Sequence, residues 1–146
     1  MSKKIFIIED DESILYGLQD RLTSDGYDVD ISNADEDLGE LLKRIKKYQP
    51  SFLILDLLLP KMDGLEIVKR LKGDEESSDI QVLIFTDLSD EDSKARSVGL
   101  GINHYFMKSD MDVNEFVDQI EKIMTGDSEK IAEAMAAEDG DDIVLD

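Results

Sequence analysis

Apolar residues along this chain follow two alternating patterns, and the alternation predicts a succession of strands and helices. Continuous apolar runs, which are typical of strands buried on both faces, cover residues 5–8 and 52–55. Mostly apolar segments over residues 80–85 and 102–107 predict two further strands. Residues 27–31 instead alternate apolar and acidic side chains. That alternation is typical of a strand at the edge of a sheet with one face in water.

Between the strands, apolar residues recur every three to four positions, which predicts amphipathic helices. The expected helices cover residues 13–24, 38–48, 64–72, 89–99 and 113–124. Gly26 and Gly73 stand where helix C-caps are expected, and Asp63 stands where an N-cap is expected. The fourth helix has the weakest pattern, because only Ala95 and Val98 are apolar within it.

Five repeats of strand and helix predict an α/β fold, a parallel sheet with helices on both faces. If the alternating strand is an edge, right-handed crossovers place the first strand beside it and carry the chain to the other side for the third. The expected architecture is a flavodoxin-like doubly wound sheet with strand order 2-1-3-4-5. Ligands of such sheets bind at the carboxyl ends of the strands where the order reverses, here between strands one and three.

Each predicted buried strand ends in polar or charged residues. They are Glu9, Asp10 and Asp11 after the first strand, then Asp56, Thr86 and Lys108 after the third, fourth and fifth. Clustered carboxylates repel one another and favour a cation, and an all-oxygen ligand set favours Mg²⁺. A lysine and a hydroxyl beside the metal suit a transferred phosphoryl group, which an aspartate can accept as an aspartyl-phosphate. Taken singly, each residue could instead be a helix cap or a surface ion pair.

From about residue 3 to about residue 124 the chain resembles the receiver domains of two-component response regulators, the CheY-like group. The matching motifs are IFIIEDDE, LILDLLLPKMDG, VLIFTD and HYFMK. The resemblance implies a phosphoacceptor signalling switch in which Asp56 is phosphorylated by a histidine kinase or a histidine phosphotransfer protein. It also implies Mg²⁺ held by Asp10, Asp56 and the backbone carbonyl of Leu58, with Glu9 helping through water.

The resemblance assigns further roles. Lys108 would contact the phosphoryl group, Thr86 would hydrogen-bond it, and Tyr105 would be the switch aromatic that turns inward when Thr86 moves. A downstream protein, unknown from the sequence, would bind the face built from the fourth helix, the fifth strand and the fifth helix. Such a protein is no enzyme, but a phosphoacceptor with self-catalysed phosphotransfer. Leu58 and Leu88 flank the predicted path of an attacking water, and because both are apolar we expect slow autodephosphorylation.

Several positions depart from the family pattern. Asp87 stands where a small residue is usual, and Ser109 replaces the usual proline after the lysine. Asp87 lies between two site-facing positions of an extended segment, so we expect its side chain to point away from the site. His104, the only histidine, is expected at the surface at the end of its strand. These departures leave open a degenerate receiver that acts as a phosphorylation-independent interaction module.

Two other classes of function require residues that this chain lacks. Phosphatases of the haloacid dehalogenase type need a second aspartate two residues after the nucleophile, and that position is Leu58. A flavodoxin-like module that binds FMN needs a hydroxyl-rich phosphate loop after the first strand, where this chain has four acidic residues.

Composition limits the partners. The net charge of −20 argues against direct binding to nucleic acid. The chain has no cysteine, and no apolar run approaches the roughly 18 residues of a membrane span, so a cytoplasmic protein without membrane insertion is expected.

The expected domains are a receiver over residues 1–126 and an acidic C-terminal tail over residues 127–146. The tail contains eight acidic residues and one lysine, and residues 128–137 could form one more helix. It is either a solvated tail or a docking segment whose apolar contact is residues 143–145. A chain from which an output domain has been removed is also compatible with the sequence.

Overall fold

The structure is a computed structural model that describes residues 3–126. Within this range strands and helices alternate along the chain. The strands are β1 (Lys4–Ile8), β2 (Asp28–Ser32), β3 (Phe52–Leu55), β4 (Gln81–Thr86) and β5 (His104–Met107). The helices are α1 (Glu12–Ser24), α2 (Leu38–Tyr48), α3 (Gly64–Lys72), α4 (Glu91–Gly99) and α5 (Val113–Met124). The possible helix over residues 128–137 lies outside the described residues.

All neighbouring strands pair in parallel, in the order β2-β1-β3-β4-β5. This order confirms the predicted doubly wound, flavodoxin-like fold. The strand with the alternating pattern, β2, lies at an edge, as predicted. The order reverses between β1 and β3, so their carboxyl ends border the crevice in which such sheets bind ligands.

The core has two layers because successive side chains of each strand point to opposite faces of the sheet. In β1, Phe6 and Ile8 pack into the cluster that contains residues of α2 and α3. Ile5 and Ile7 pack into the other cluster, with residues of α1 and α5. All four are fully buried, which explains why β1 has a continuous apolar run rather than an alternating one.

The predicted caps lie at the ends of their helices. Gly26 has a φ of +99°, and its N–H donates to the carbonyl of Thr23 while that of Tyr27 donates to Leu22. This is a Schellman motif, which needs a left-handed residue after the helix. Asp63 caps the start of α3 by accepting the N–H of Leu65 at 2.9 Å, and Gly73 is the C-cap of the same helix.

Helix α4 is formed, but the residues that predicted it are not the ones that it buries. Ala95 is exposed and Val98 is 45% exposed. The buried positions are Ser93 and Ser97, and the hydroxyl of Ser97 donates to the carbonyl of Ser93 at 2.8 Å. That hydrogen bond lets a polar residue face the core at little cost, and it leaves apolar side chains on the outer face of α4.

Gly64 is the position where α3 approaches β3 too closely for any side chain. A Cβ there would lie 2.6 Å from the Cα of Leu57 and 3.0 Å from the carbonyl oxygen of Asp56. Gly64→Ala should lower the free energy of unfolding by about 1–3 kcal/mol, because backbone would have to shift. Urea denaturation measures this change.

Gly99→Ala is the matched control. No atom lies within 4 Å of the Cβ position at Gly99, and alanine is the better helix former. That variant should be at least as stable as the wild type. Equal stability of the two variants would contradict the close approach at Gly64.

Candidate functional site

Asp56 lies at the centre of the carboxyl edge of the sheet, directly after β3, and is 4% exposed. One of its oxygens, Oδ1, accepts the hydroxyl of Thr86 at 2.6 Å and the N–H of Leu58 at 3.0 Å. The other oxygen, Oδ2, accepts the ammonium of Lys108 at 2.7 Å. Donors from β4, from the loop after β3 and from the end of β5 therefore converge on one carboxylate.

Glu9 is the second buried carboxylate of the site, with 2% exposure. Its Oε1 lies 2.7 Å from the ammonium of Lys108, and its Oε2 accepts the N–H of Asp11 at 3.1 Å. The predicted contact of Glu9 through water stays a prediction. Its direct ion pair with Lys108 is a contact that the sequence did not reveal, because nothing in the spacing relates the ends of β1 and β5.

The pKa values of this pair follow from burial and pairing. Burial is the main cause that raises the pKa of Glu9 to about 7, and the charge of Asp56 adds to it, whereas Lys108 opposes it. Burial alone would lower the pKa of Lys108, but its hydrogen bonds to Asp56 and Glu9 outweigh that effect and raise it. Lys108 is therefore a fixed positive charge beside Asp56.

The described residues contain one cluster that could hold a metal ion. Carboxylate oxygens of Glu9, Asp10 and Asp56 lie within 4.8 Å of one another, and Asp10 is exposed to solvent. An all-oxygen set with one open side suits Mg²⁺, which keeps several of its waters. Asp11 has a different role from its neighbours: its side chain caps α1 by accepting the N–H groups of Ser13 and Ile14.

The two leucines that were expected to border the water path differ in exposure. Leu58 is 49% exposed, and a short antiparallel bridge to Asp63 holds its backbone in place. Leu88 is half-buried, and its N–H donates to the hydroxyl oxygen of Thr86 at 3.2 Å. Asp87 is exposed, as expected for a residue whose side chain points away from the site.

Tyr105 is connected to the site through Leu88. Its ring is 6% exposed, its hydroxyl donates to the carbonyl of Leu88, and the ammonium of Lys94 lies 5.8 Å from the ring centroid. Burial, with smaller effects of Asp90 and Asp56, raises the pKa of Tyr105 to about 12. The tyrosine is therefore a neutral donor that joins β5 to the loop before α4.

The remaining two positions lie at the periphery. Ser109 is exposed in a short 3-10 turn, Lys108–Asp110, which directly follows β5. His104 begins β5 and is half-buried, so the expectation of a surface residue was wrong. Burial lowers the pKa of His104, which leaves it neutral at pH 7.

The sequence of this chain is similar to those of known proteins. The sequence model of the family described as response regulator receiver domain matches residues 5–121. The alkaline phosphatase synthesis transcriptional regulatory protein PhoP of Bacillus subtilis is 35% identical over 122 residues, which cover 82% of this chain and 49% of that protein. The chain thus spans about half the length of the curated relatives it matches.

Solved structures are similar over most of the chain. A CheY-like response regulator receiver domain protein from Methanospirillum hungatei superposes with a TM-score of 0.75 and 22% identity, covering 89% of this chain and 99% of the other. The phosphorylated cyanobacterial phytochrome response regulator RcpA superposes with a TM-score of 0.71 and 28% identity, covering 84% and 93%. Among residues 3–126, no helix is long and apolar enough to cross a membrane.

Mg²⁺ should stabilise the folded chain, because the expected site is the folded carboxylate cluster, which the unfolded chain lacks. An Mg²⁺ concentration a hundredfold above the dissociation constant would add about 2.7 kcal/mol to the free energy of unfolding, visible as a rise in melting temperature. Asp10→Ala should weaken this response and should raise stability in metal-free buffer, since it removes a repelling charge. A wild-type melting temperature that does not respond to millimolar Mg²⁺ would contradict the site.

The apparent affinity for Mg²⁺ should rise between about pH 6 and about pH 8. Metal binding favours deprotonated carboxylates, and the pKa of Glu9 is about 7. In metal-free buffer the free energy of unfolding should instead fall as the pH rises from about 4.5 to about 7. Over that range the folded state, with its raised pKa for Glu9, binds a proton that the unfolded state has lost. Glu9→Gln should flatten both dependences, measured by calorimetry, and unchanged slopes would contradict the assignment.

Proposed function

Because this chain belongs to the family of response regulator receiver domains, we propose that it is a phosphoacceptor switch in which Asp56 takes a phosphoryl group from a phosphohistidine. The donor would be a histidine kinase or a histidine phosphotransfer protein. The observation that carries the proposal is the set of donors from Thr86, Lys108 and the Leu58 N–H around one buried carboxylate. Such an array suits the charge of a transferred phosphoryl group.

In the proposed transfer an oxygen of Asp56 attacks phosphorus, an O–P bond forms, and the P–N bond to the donor imidazole breaks. The imidazole leaves with the bonding electrons and takes up a proton from solvent. Lys108 offsets the negative charge of the phosphoryl oxygens, and the hydroxyl of Thr86 donates to one of them. Mg²⁺, when held by Asp10, Asp56 and the backbone carbonyl of Leu58 with Glu9 helping through water, would neutralise the charges that otherwise repel the incoming phosphate.

The contacts that leave the site suggest how phosphorylation would be communicated. Thr86 accepts the N–H of Leu88, and Leu88 accepts the hydroxyl of Tyr105. A shift of Thr86 toward the phosphoryl group would therefore move the loop before α4 and the tyrosine together. The face built from α4, β5 and α5, on which Val98 is 45% exposed, is the proposed surface for the downstream protein.

Other properties belong to the same proposal. The protein would be cytoplasmic, no enzyme in its own right, and without direct contact to nucleic acid, because its net charge is −20. Support for a phosphorylated state comes from RcpA, which is 28% identical and is described as phosphorylated. A receiver that works without phosphorylation is not favoured. Asp87 is exposed, as expected for a side chain that points away from the site, and Thr86, Lys108 and the Leu58 N–H all donate to Asp56.

Asp56→Asn should abolish phosphorylation. Incubation with acetyl phosphate and Mg²⁺ should add one phosphoryl group to the wild type in intact mass spectrometry and none to the variant. Asp87→Asn, which changes an exposed neighbouring carboxylate, is the matched control and should be phosphorylated at the wild-type rate. Phosphorylation of Asp56→Asn at that rate would contradict the assignment of the acceptor.

The phosphorylated form should be long-lived, because Leu58 and Leu88 offer no side-chain group that orients an attacking water. Leu58→Asn and Leu88→Glu should each speed loss of the phosphoryl group by about tenfold, well within the effect that positioning of a reactant can have. The measurement is decay of the phosphorylated protein in buffer with Mg²⁺. Equal or slower decay of both variants would show that the leucines do not set the lifetime.

A further inference from the structure

A cleft of about 270 Å³ lies between α3 and α4, away from the phosphoacceptor site. It is lined by Leu65, Glu66, Lys69, Arg96, Gly99 and Leu100. The one acidic residue of the lining, Glu66, already pairs with Arg70 at 2.9 Å. The cleft therefore carries a local excess of positive charge on a chain with 36 acidic and 16 basic residues.

Within residues 3–126 neither cation of the cleft forms a close ion pair, although the charge of Arg96 acts on Asp90 from a longer distance. Lys69 and Arg96 are both exposed, and neither forms an ion pair within 4.0 Å of a described carboxylate. Other exposed lysines, such as Lys61, which pairs with Asp35, do have one. An acidic ligand would meet two exposed positive charges above an apolar wall that includes Leu100.

The described chain ends at the amino edge of the sheet, toward which part of the cleft lies. The carbonyl of Met124 in the last turn of α5 accepts the ammonium of Lys3, directly before β1. Helices that join parallel strands run back to the amino edge of the sheet. Lys69, Gly99 and Leu100, at the ends of α3 and α4, therefore lie toward the edge at which α5 ends.

The segment that follows, residues 127–146, has the complementary chemistry. It contains four closely spaced acids, Glu138, Asp139, Asp141 and Asp142, followed by the apolar residues 143–145. The sixteen residues from 127 to 142 span up to about 55 Å when extended, more than the roughly 30 Å diameter of a small domain. They are long enough to pass around the amino edge from α5 to α4.

We propose that the acidic segment 127–146 docks into the cleft between α3 and α4 of its own chain. Asp139, Asp141 and Asp142 face Lys69 and Arg96, and residues 143–145 lie against the apolar wall. Linkage to the same chain gives the segment an effective concentration of about a millimolar. Even a weak interaction between the segment and the cleft therefore keeps the segment bound for much of the time. The docking does not depend on phosphorylation of Asp56.

A second cavity near the end of α5 fits this segment less well. It is lined by Lys3 and Lys46 but also by Glu76 and Asp79. Lys46 already pairs with Asp74 at 2.5 Å. An acidic segment would there meet two exposed carboxylates and one available ammonium, so the α3–α4 cleft is the better match in charge.

Paramagnetic relaxation tests the docking, and the absence of cysteine from the chain makes the labelling specific. A spin label on Ala137→Cys in the full chain should remove most of the intensity of the Gly99 and Leu100 amide signals at low salt. Signals of β2, at the far edge of the sheet, should keep theirs. High salt should restore the signals because it screens exposed ion pairs.

Charge reversal separates the cleft from a general electrostatic effect. Lys69→Glu with Arg96→Glu should abolish the broadening, whereas the control Lys43→Glu with Lys47→Glu, two exposed lysines of α2, should leave it unchanged. Changing Asp139, Asp141 and Asp142 to lysine in the reversed protein should bring it back.

Four results would overturn the proposal. They are no broadening in the wild type, broadening around Ser51 and Phe52 in place of Gly99, and broadening that survives reversal of the cleft. The fourth is broadening in a mixture of isotope-labelled chain without the spin label and unlabelled chain with it, which would show that the segment binds a second copy.

Discussion

The ion pairs of Lys108 with Glu9 and Asp56 are the interaction on which the carboxyl edge of this sheet depends. Both carboxylates are almost fully buried, and a buried charge is tolerated only when it is paired and hydrogen-bonded. The ammonium lies 2.7 Å from each of them, so one positive charge faces two carboxyl groups. The residual negative charge is what makes the edge attractive to a divalent cation, and the burial of Glu9 sets its pKa near neutrality.

The topology places these groups side by side without distortion. β1 and β3 are neighbours although they are not consecutive in the chain, so the acids after β1 lie beside Asp56. Gly64 brings α3 against the backbone of residues 56 and 57, which fixes the loop whose Leu58 N–H donates to Asp56. The site is therefore built from the ends of strands, and the rigidity of the sheet gives its donors their positions before any ligand binds.

The strand ends could be predicted from the sequence because buried runs end in residues that cannot be buried without partners. Contacts between side chains distant in the sequence could not be predicted. The acids after β1 are alike in type, yet Asp11 caps a helix and Glu9 pairs with Lys108, a choice made by the path of the backbone. Likewise α4 turns two serines inward and leaves Val98 outside, since a serine hydroxyl can bond its own helix. The partial burial of His104, at the start of β5, could not be predicted because no sequence pattern distinguishes an exposed first residue of a strand from a half-buried one.

A crystal structure of the chain with Mg²⁺ and beryllofluoride, which mimics a phosphoryl group, tests the central claim most directly. The account predicts beryllium bonded to a carboxylate oxygen of Asp56, with the hydroxyl of Thr86 and the ammonium of Lys108 donating to fluorine. It also predicts Mg²⁺ on the carboxylates of Asp10 and Asp56. Beryllofluoride bonded to another residue, or Asp56 still holding Thr86 and Lys108 without an adduct in crystals grown with excess reagent, would contradict it.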